Sequence, residues 1–189
     1  CQAIQVDLAD AAATRAAAKA ALPADLLINC AGTTELQSFL DTTVEAFDRL
    51  IAVNTRAPMI VAQEYARDQI AGGRRGAIVN VSSVAAFVGI TDHAAYCASK
   101  SGLDGLTRVM AKELAKSGIR VNTLVPGPTN TPMMQGIPQE WADAIIAGVP
   151  LGRMAEPDDI AKVAVFLASE DSAFVTGQSV AVNGGSAFL

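Results

Sequence analysis

Histidine and tryptophan each occur once in these 189 residues, and cysteine only three times. With one imidazole available, proton chemistry has to come from other side chains, and no metal site is expected. Cys1, Cys30 and Cys97 are odd in number, widely spaced and without a C-x-x-C pair, which suits a reducing compartment better than a disulfide framework. Charge is sparse and leans acidic. Charged residues make up 17% of the chain, the net charge is −5 and the pI is about 4.8, so neither a nucleic-acid partner nor an anionic membrane surface is expected. Arg74-Arg75 is too short for a basic patch and reads as part of a turn. No apolar run reaches the length of a membrane span, and no charged-then-apolar leader opens the chain. A cytoplasmic enzyme or binding protein is the resulting expectation. The chain starts at Cys1 rather than at a methionine, which leads us to expect further sequence upstream.

What is present is a hydrophobic content of 51%, enough to bury one substantial core in a single domain spanning 1–189. Strand-like runs are expected at Ala3–Val6, Asp25–Asn29, Ala77–Val81, Ile119–Val125 and Ser179–Val182. The second is apolar throughout, as in a strand covered on both faces. Helices are expected over Ala11–Ala21, over Thr43 to about Ala71 with an interruption near Asn54 and Pro58, and over Ala94 to about Lys116. A further helix should start at Glu156-Pro157-Asp158-Asp159, with proline in the first turn and acids at the positive dipole end. Strands alternating with helices at this spacing imply an α/β fold with a parallel, doubly wound sheet. No internal repeat or low-complexity linker interrupts it.

The chemistry concentrates in Ser82-Ser83 through Tyr96 to Lys100. Ser83 closes a strand, at the sheet edge where open α/β folds bind ligands. Tyr96 and Lys100 lie four residues apart on a helix, so both side chains can reach one bound molecule. A hydroxyl, a phenol and an ammonium converging there make a proton-transfer site that needs neither histidine nor metal. Tyr-x-x-x-Lys occurs by chance on many amphipathic helices. Here it follows Ser83 by thirteen residues after the strand I-V-N-V-S-S, and that combination resembles the short-chain dehydrogenase/reductase family.

The resemblance runs through the whole chain and implies a Rossmann-type sheet, NADP or NAD as cofactor, and hydride transfer between a carbonyl and a secondary alcohol. Carried over residue by residue, it makes Asn54, Ser83, Tyr96 and Lys100 the catalytic set. Asp7 would hydrogen-bond the adenine with Leu8 packed beside it, although a turn-forming Asp after a strand reads equally well. Asn29-Cys30-Ala31-Gly32 is similar to the family's Asn-Asn-Ala-Gly, so Asn29, Ala31 and Gly32 would flank the cofactor ribose, the alternative being a plain strand-to-loop turn. Asn54, four residues before Pro58, would hold a water that relays protons to Lys100, where otherwise it is a solvated helix position. Pro126 and Gly127, with Thr129 and Thr131, resemble the segment that binds the nicotinamide carboxamide. Tyr96 and Lys100 would touch cofactor as well as substrate. His93 is either a substrate contact, beside Ser83 and Tyr96, or a packed surface residue. Cys97 reads as packing, because neighbouring helical residues diverge by about 100°. Met133, Met134 and Trp141 form either a lid or ordinary core.

In the resembling mechanism a free phenol near pKa ~10 is too basic to work at neutrality. An ammonium ~5 Å away at an effective dielectric of ~20 would stabilise the phenolate by roughly 3 kcal/mol, about two pKa units. The family's glycine-rich phosphate loop finds no counterpart, since Gly72-Gly73 and Gly184-Gly185 lack its spacing. The chain therefore reads as a member without its first β-α-β unit, leaving the strand near Leu26 as an apolar edge and cofactor affinity poor. The tract Phe47-Asp48-Arg49, Asp92-His93 and Tyr96-Cys97 look most like L-xylulose (dicarbonyl) reductases, implying a small ketose or dicarbonyl substrate. A 3-oxoacyl-carrier-protein reductase and a non-catalytic assembly subunit are the alternatives. The family also implies a homotetramer formed through helices near 57–71 and 94–116.

Overall fold

A parallel four-stranded sheet organises the chain, in a computed structural model that describes residues 2–134 and 136–188. Cys1 lies outside the described residues. The strands β1 (Leu26–Asn29), β2 (Gly76–Val81), β3 (Ile119–Pro126) and β4 (Ser179–Val182) lie side by side in that order, every pair parallel. Parallel neighbours need crossover connections, which the helices supply.

Period-two alternation along β2 and β3 splits the core into two layers. Ile78, Ile119 and Val121 pack with Ala62, Tyr65, Ala66 and Ala111 from helices α3 (Ala57–Ala71) and α5 (Ala94–Leu114). Val79 and Leu124 face the other way, against Ala164 and Leu167 of helix α7 (Pro157–Ala168). The sheet is thus wound on both faces, as expected of a Rossmann-type fold. Helix α7 opens where the sequence places it: Pro157 occupies the first turn and Asp159 accepts the Glu156 backbone N–H at 2.8 Å, half of a capping box. The remaining helices are α1 (Ala11–Ala20), α2 (Val44–Ile51), the short α4 (Ala85–Val88) and α6 (Gln139–Ala147).

Two expectations need correction, and one open alternative closes. Residues 3–6 form no strand, because a strand exists only through a partner's hydrogen bonds and no described segment runs beside them. β1 is apolar yet covered on one face only: Leu27 packs into the α3–α5 layer, whereas Leu26 and Ile28 are 45% and 40% exposed. β1 is also the edge strand of the sheet, in keeping with the apolar edge expected near Leu26. Trp141 and Met133 are not core, being 54% and 49% exposed on α6 and the turn before it.

The break near Asn54 takes a specific form. Between α2 and α3 the backbone widens into a π turn over Ala52–Arg56, with the Ala57 N–H reaching back to the Ala52 carbonyl. Pro58 offers no N–H to the Asn54 carbonyl four residues earlier, so a regular α-ladder cannot be completed there.

Candidate active site

The end of β2 continues its pairing with β3 beyond the strand proper. Ser82 N–H donates to the Leu124 carbonyl at 2.8 Å and Val84 N–H to the Pro126 carbonyl at 3.0 Å. Both neighbours of Ser83 are thereby fixed, and Ser83 sits at the strand mouth with its hydroxyl accepting the Ala85 N–H at 3.2 Å. Helix α5 then brings Tyr96 and Lys100 to the same place. The Ser83 hydroxyl lies close enough to Tyr96 to pull its pKa downward, and the Lys100 ammonium is 5.8 Å from the centre of the Tyr96 ring.

Lys100 is buried and donates to the Val81 carbonyl at 2.8 Å, the last residue of β2. Burial lowers its pKa from 10.5 to about 8, opposed by Cys30 and Asp104. The expectation that Lys100 drags the Tyr96 pKa down is not met in the chain by itself. Desolvation raises the phenol above its ordinary value, Ser83 opposes that rise and Cys97 adds to it. An ammonium at almost 6 Å does not offset the loss of water around the phenol.

Asn54 is wholly buried and clasps the loop after β1. Its Oδ1 accepts the Thr33 N–H at 2.9 Å, and its Nδ2 donates to the Thr33 carbonyl at 2.8 Å and to Ser99 Oγ at 3.0 Å. Thr55 Oγ1 adds a bond to the Ser99 carbonyl at 2.7 Å, tying the π turn to α5. Asn54 is therefore no solvated helix position. A Cβ placed on Gly32 would stand 3.3 Å from both Asn54 Oδ1 and Lys100 Nζ. Gly32 keeps open a small polar space that these two groups face, which a larger side chain would fill.

The other expected cofactor residues divide. Asn29 points its Nδ2 at Asn80 Oδ1, 2.8 Å away within the sheet, so its side chain is structural. Ala31 and Gly32 are exposed at the mouth of β1. Pro126 ends β3 and Gly127 follows it, where glycine is required by packing: a Cβ there would be 2.7 Å from that of Asn183. Thr129 Oγ1 folds back on the Gly127 carbonyl at 2.9 Å, and Thr131 Oγ1 lies 3.4 Å from the Thr129 carbonyl. Asp7 accepts the Ala9 N–H at 2.9 Å, as its turn-forming reading has it, while the Leu8 carbonyl accepts the Thr14 hydroxyl.

His93 borders the site, its ring edge-on to Tyr96 at 6.1 Å between centroids. The residue before it, Asp92, has φ of 60°, a left-handed conformation that Asp tolerates. His93 Nδ1 lies 2.8 Å from the Thr91 carbonyl, which can only accept. Nδ1 is therefore the donor of that hydrogen bond. Among the described residues, no cluster of three metal-capable side chains occurs and no helix is long and apolar enough to cross a membrane.

Two contributors escaped the sequence reading. Ser99, three residues after Tyr96, is the partner of Asn54, and Asp104, four after Lys100, accepts Ser82 Oγ–H at 2.8 Å. Their helical spacing from the two motif residues was the available signal.

Comparison with known proteins agrees with the geometry. A family model described as enoyl-(acyl carrier protein) reductase matches residues 1–187. The D-erythrulose reductase of Gallus gallus is 49% identical over 185 residues, covering 95% of this chain and 74% of the relative. The L-xylulose reductase of Bos taurus is 46% identical over 185 residues, covering 95% and 75%. The (3R)-3-hydroxyacyl-CoA dehydrogenase of Rattus norvegicus is 43% identical over 163 residues, 86% of this chain but only 63% of that protein's length. Among solved structures, a gluconate 5-dehydrogenase from Burkholderia cenocepacia in complex with NADP and tartrate superposes with a TM-score of 0.89. It is 33% identical, with 95% of this chain and 72% of the other covered. With Ser83, Tyr96 and Lys100 converging at the end of a parallel strand, the chain belongs to the short-chain dehydrogenase/reductase family.

Proposed function

We propose that the protein is an NAD(P)-dependent oxidoreductase that interconverts a carbonyl and a secondary alcohol, with a small ketose or α-dicarbonyl as substrate. The observation that carries this reading is the meeting of Ser83, Tyr96 and Lys100 at one strand mouth. Exposed Ala31 and Gly32, with the polar space framed by Asn54 Oδ1 and Lys100 Nζ, fit the ribose end of a dinucleotide. When bound, the nicotinamide supplies or takes the hydride. Lys100 anchors the ribose and holds positive charge beside the phenol. Asn54 keeps the Gly32 loop in place, and the water relay through Asn54 to Lys100 belongs to this proposal. Ser83 holds the substrate oxygen and stabilises charge developing on it. The raised pKa of Tyr96 keeps its phenol protonated at neutrality, as a group must be to give a proton to a carbonyl oxygen.

His93, edge-on to Tyr96, stands where it can contact a bound substrate, and the similarity to ketose reductases points to a small hydroxylated carbonyl compound. A second reading, reduction of a 3-oxoacyl thioester, has its support in the relatedness to a hydroxyacyl-CoA dehydrogenase. The test is turnover of NADPH and NADH by the intact protein on L-xylulose, diacetyl and acetoacetyl-CoA, with Tyr96→Phe alongside. The first reading expects turnover of the first two substrates and a loss of at least about 100-fold in the variant. Activity confined to the thioester selects the second reading. Near-normal rates in Tyr96→Phe refute the site assignment, and no turnover at all leaves the protein a non-catalytic assembly subunit.

A further inference from the structure

Asp104 is 3% exposed, lies one helical turn beyond Lys100 on α5, and has no part in the proton transfer described above. Its Oδ2 accepts the Ser82 hydroxyl at 2.8 Å, while its Oδ1 has no hydrogen-bond partner. A carboxylate that deep is costly unless cations compensate it. Burial accordingly raises the Asp104 pKa above the ordinary carboxylate value, opposed by the Ser82 and Thr123 hydroxyls from the end of β2 and from β3, and by the exposed Arg108 and Lys100 of its own helix. Lys100 in turn is faced by Cys30 from the loop after β1, by the Tyr96 ring and by Asp104. The two consecutive residues at the end of β2 are therefore each gripped from α5. Lys100 holds the Val81 carbonyl, and Asp104 holds the Ser82 side chain just before Ser83.

We propose that Asp104 is the buried counter-ion and positioning residue of this site, anchoring Ser82 so that Ser83 is held at the strand mouth and keeping Lys100 an ammonium. The proposal rests on the reading of Lys100 as the cation of the proton-transfer site, and it adds what maintains that cation in a desolvated position. Burial works against the Lys100 charge, and at neutral pH the balance is close enough for a neighbouring anion to matter. Removing the carboxylate charge lets Lys100 lose its proton at lower pH.

The experiment follows Lys100 directly. The chain has five lysines, so ¹³Cε labelling of lysine in the intact protein gives a simple spectrum, with Lys100 assigned by Lys100→Met. In the unsubstituted protein the Lys100 signal should titrate near about 8. In Asp104→Asn, which keeps an acceptor for Ser82 and removes the charge, the midpoint should fall by about one pH unit or more. In Ser82→Ala, which keeps the charge and loses the anchor, the midpoint should not fall, although carbonyl turnover should drop. A purely structural role for Asp104 moves neither midpoint. An Asp104→Asn midpoint within a few tenths of the unsubstituted value therefore overturns the proposal. Should Asp104→Asn fail to fold, the unsubstituted protein labelled at the Asp carboxyl carbons decides. An Asp104 signal that is ionised at neutrality and steps with the Lys100 titration supports the proposal, and one that stays a neutral acid through that range overturns it. A midpoint that shifts in a protein turning over no carbonyl at all refutes the oxidoreductase reading while leaving Asp104 as the counter-ion of Lys100.

Discussion

Replacing Lys100 with methionine should abolish carbonyl turnover and change how fold stability depends on pH. Lys100 is 4% exposed, and its pKa falls from 10.5 in the unfolded chain to about 8 in the fold. At about 1.4 kcal/mol per unit, folding the protonated lysine costs about 3 kcal/mol below the folded pKa. The unfolded chain holds the proton more tightly, so between about 8 and 10.5 the unfolded state binds more protons than the native state, and stability must rise with pH there. Methionine fills a similar volume and carries no proton. The absolute stabilities of the two proteins at neutral pH mix several effects. Lys100→Met also removes the bond to the Val81 carbonyl, worth roughly 1–3 kcal/mol for a charged donor, and takes away one of the two cations that face Asp104. The difference in slope is free of both, because neither titrates in that window. Urea unfolding is the suitable assay, since guanidinium is itself a salt and screens charge. From about pH 8 to 10.5 the unsubstituted protein should gain about 3 kcal/mol relative to Lys100→Met. Parallel stability curves across that window would refute the claim that this lysine is folded into a position that disfavours its charge.

Two further substitutions test the packing around the site. Gly32→Val would set a branched side chain where a Cβ is already 3.3 Å from Asn54 Oδ1 and Lys100 Nζ. Dinucleotide affinity, followed by nicotinamide fluorescence, should weaken at least about tenfold with little change in melting temperature, and unchanged binding would remove Gly32 from the cofactor site. Gly76→Ala brings a methyl within 2.2 Å of the Tyr65 hydroxyl, which itself donates to the Asp25 carbonyl at 2.8 Å. Destabilisation of about 2–3 kcal/mol is expected from that overpacking, falling by more than half when tested in a Tyr65→Phe background. An equal penalty in both backgrounds would place the strain elsewhere.

How much of this was legible beforehand depends on whether a feature is local or needs a neighbour. The pairing of Tyr96 with Lys100, the start of α7 at Pro157 and the break before Pro58 each follow from spacing along one segment, and each is found in place. Pro58 announced a lost hydrogen bond but not its repair, since only packing of Asn54 against Thr33 and Ser99 selects a π turn over a kink. Residues 3–6 and β1 read as similar apolar runs, and only the presence of β2 beside the latter makes it a strand. The pair Ser82-Ser83 is the sharpest case. The two are chemically identical and adjacent, yet one is buried on Asp104 and the other stands beside Tyr96. Motif spacing alone picks out Ser83, and the role of Ser82 emerges only once the register of β2 against α5 is known. The same register explains why Asp104 was passed over. A lone acid on a helix ordinarily reads as solvated, and its four-residue spacing from Lys100 places it on the lysine's side of α5 without saying that this side is buried there. The chemistry of the site was therefore written in the side chains that meet at the strand mouth, while the groups that set its charge and geometry lie behind them, where only tertiary contact identifies them.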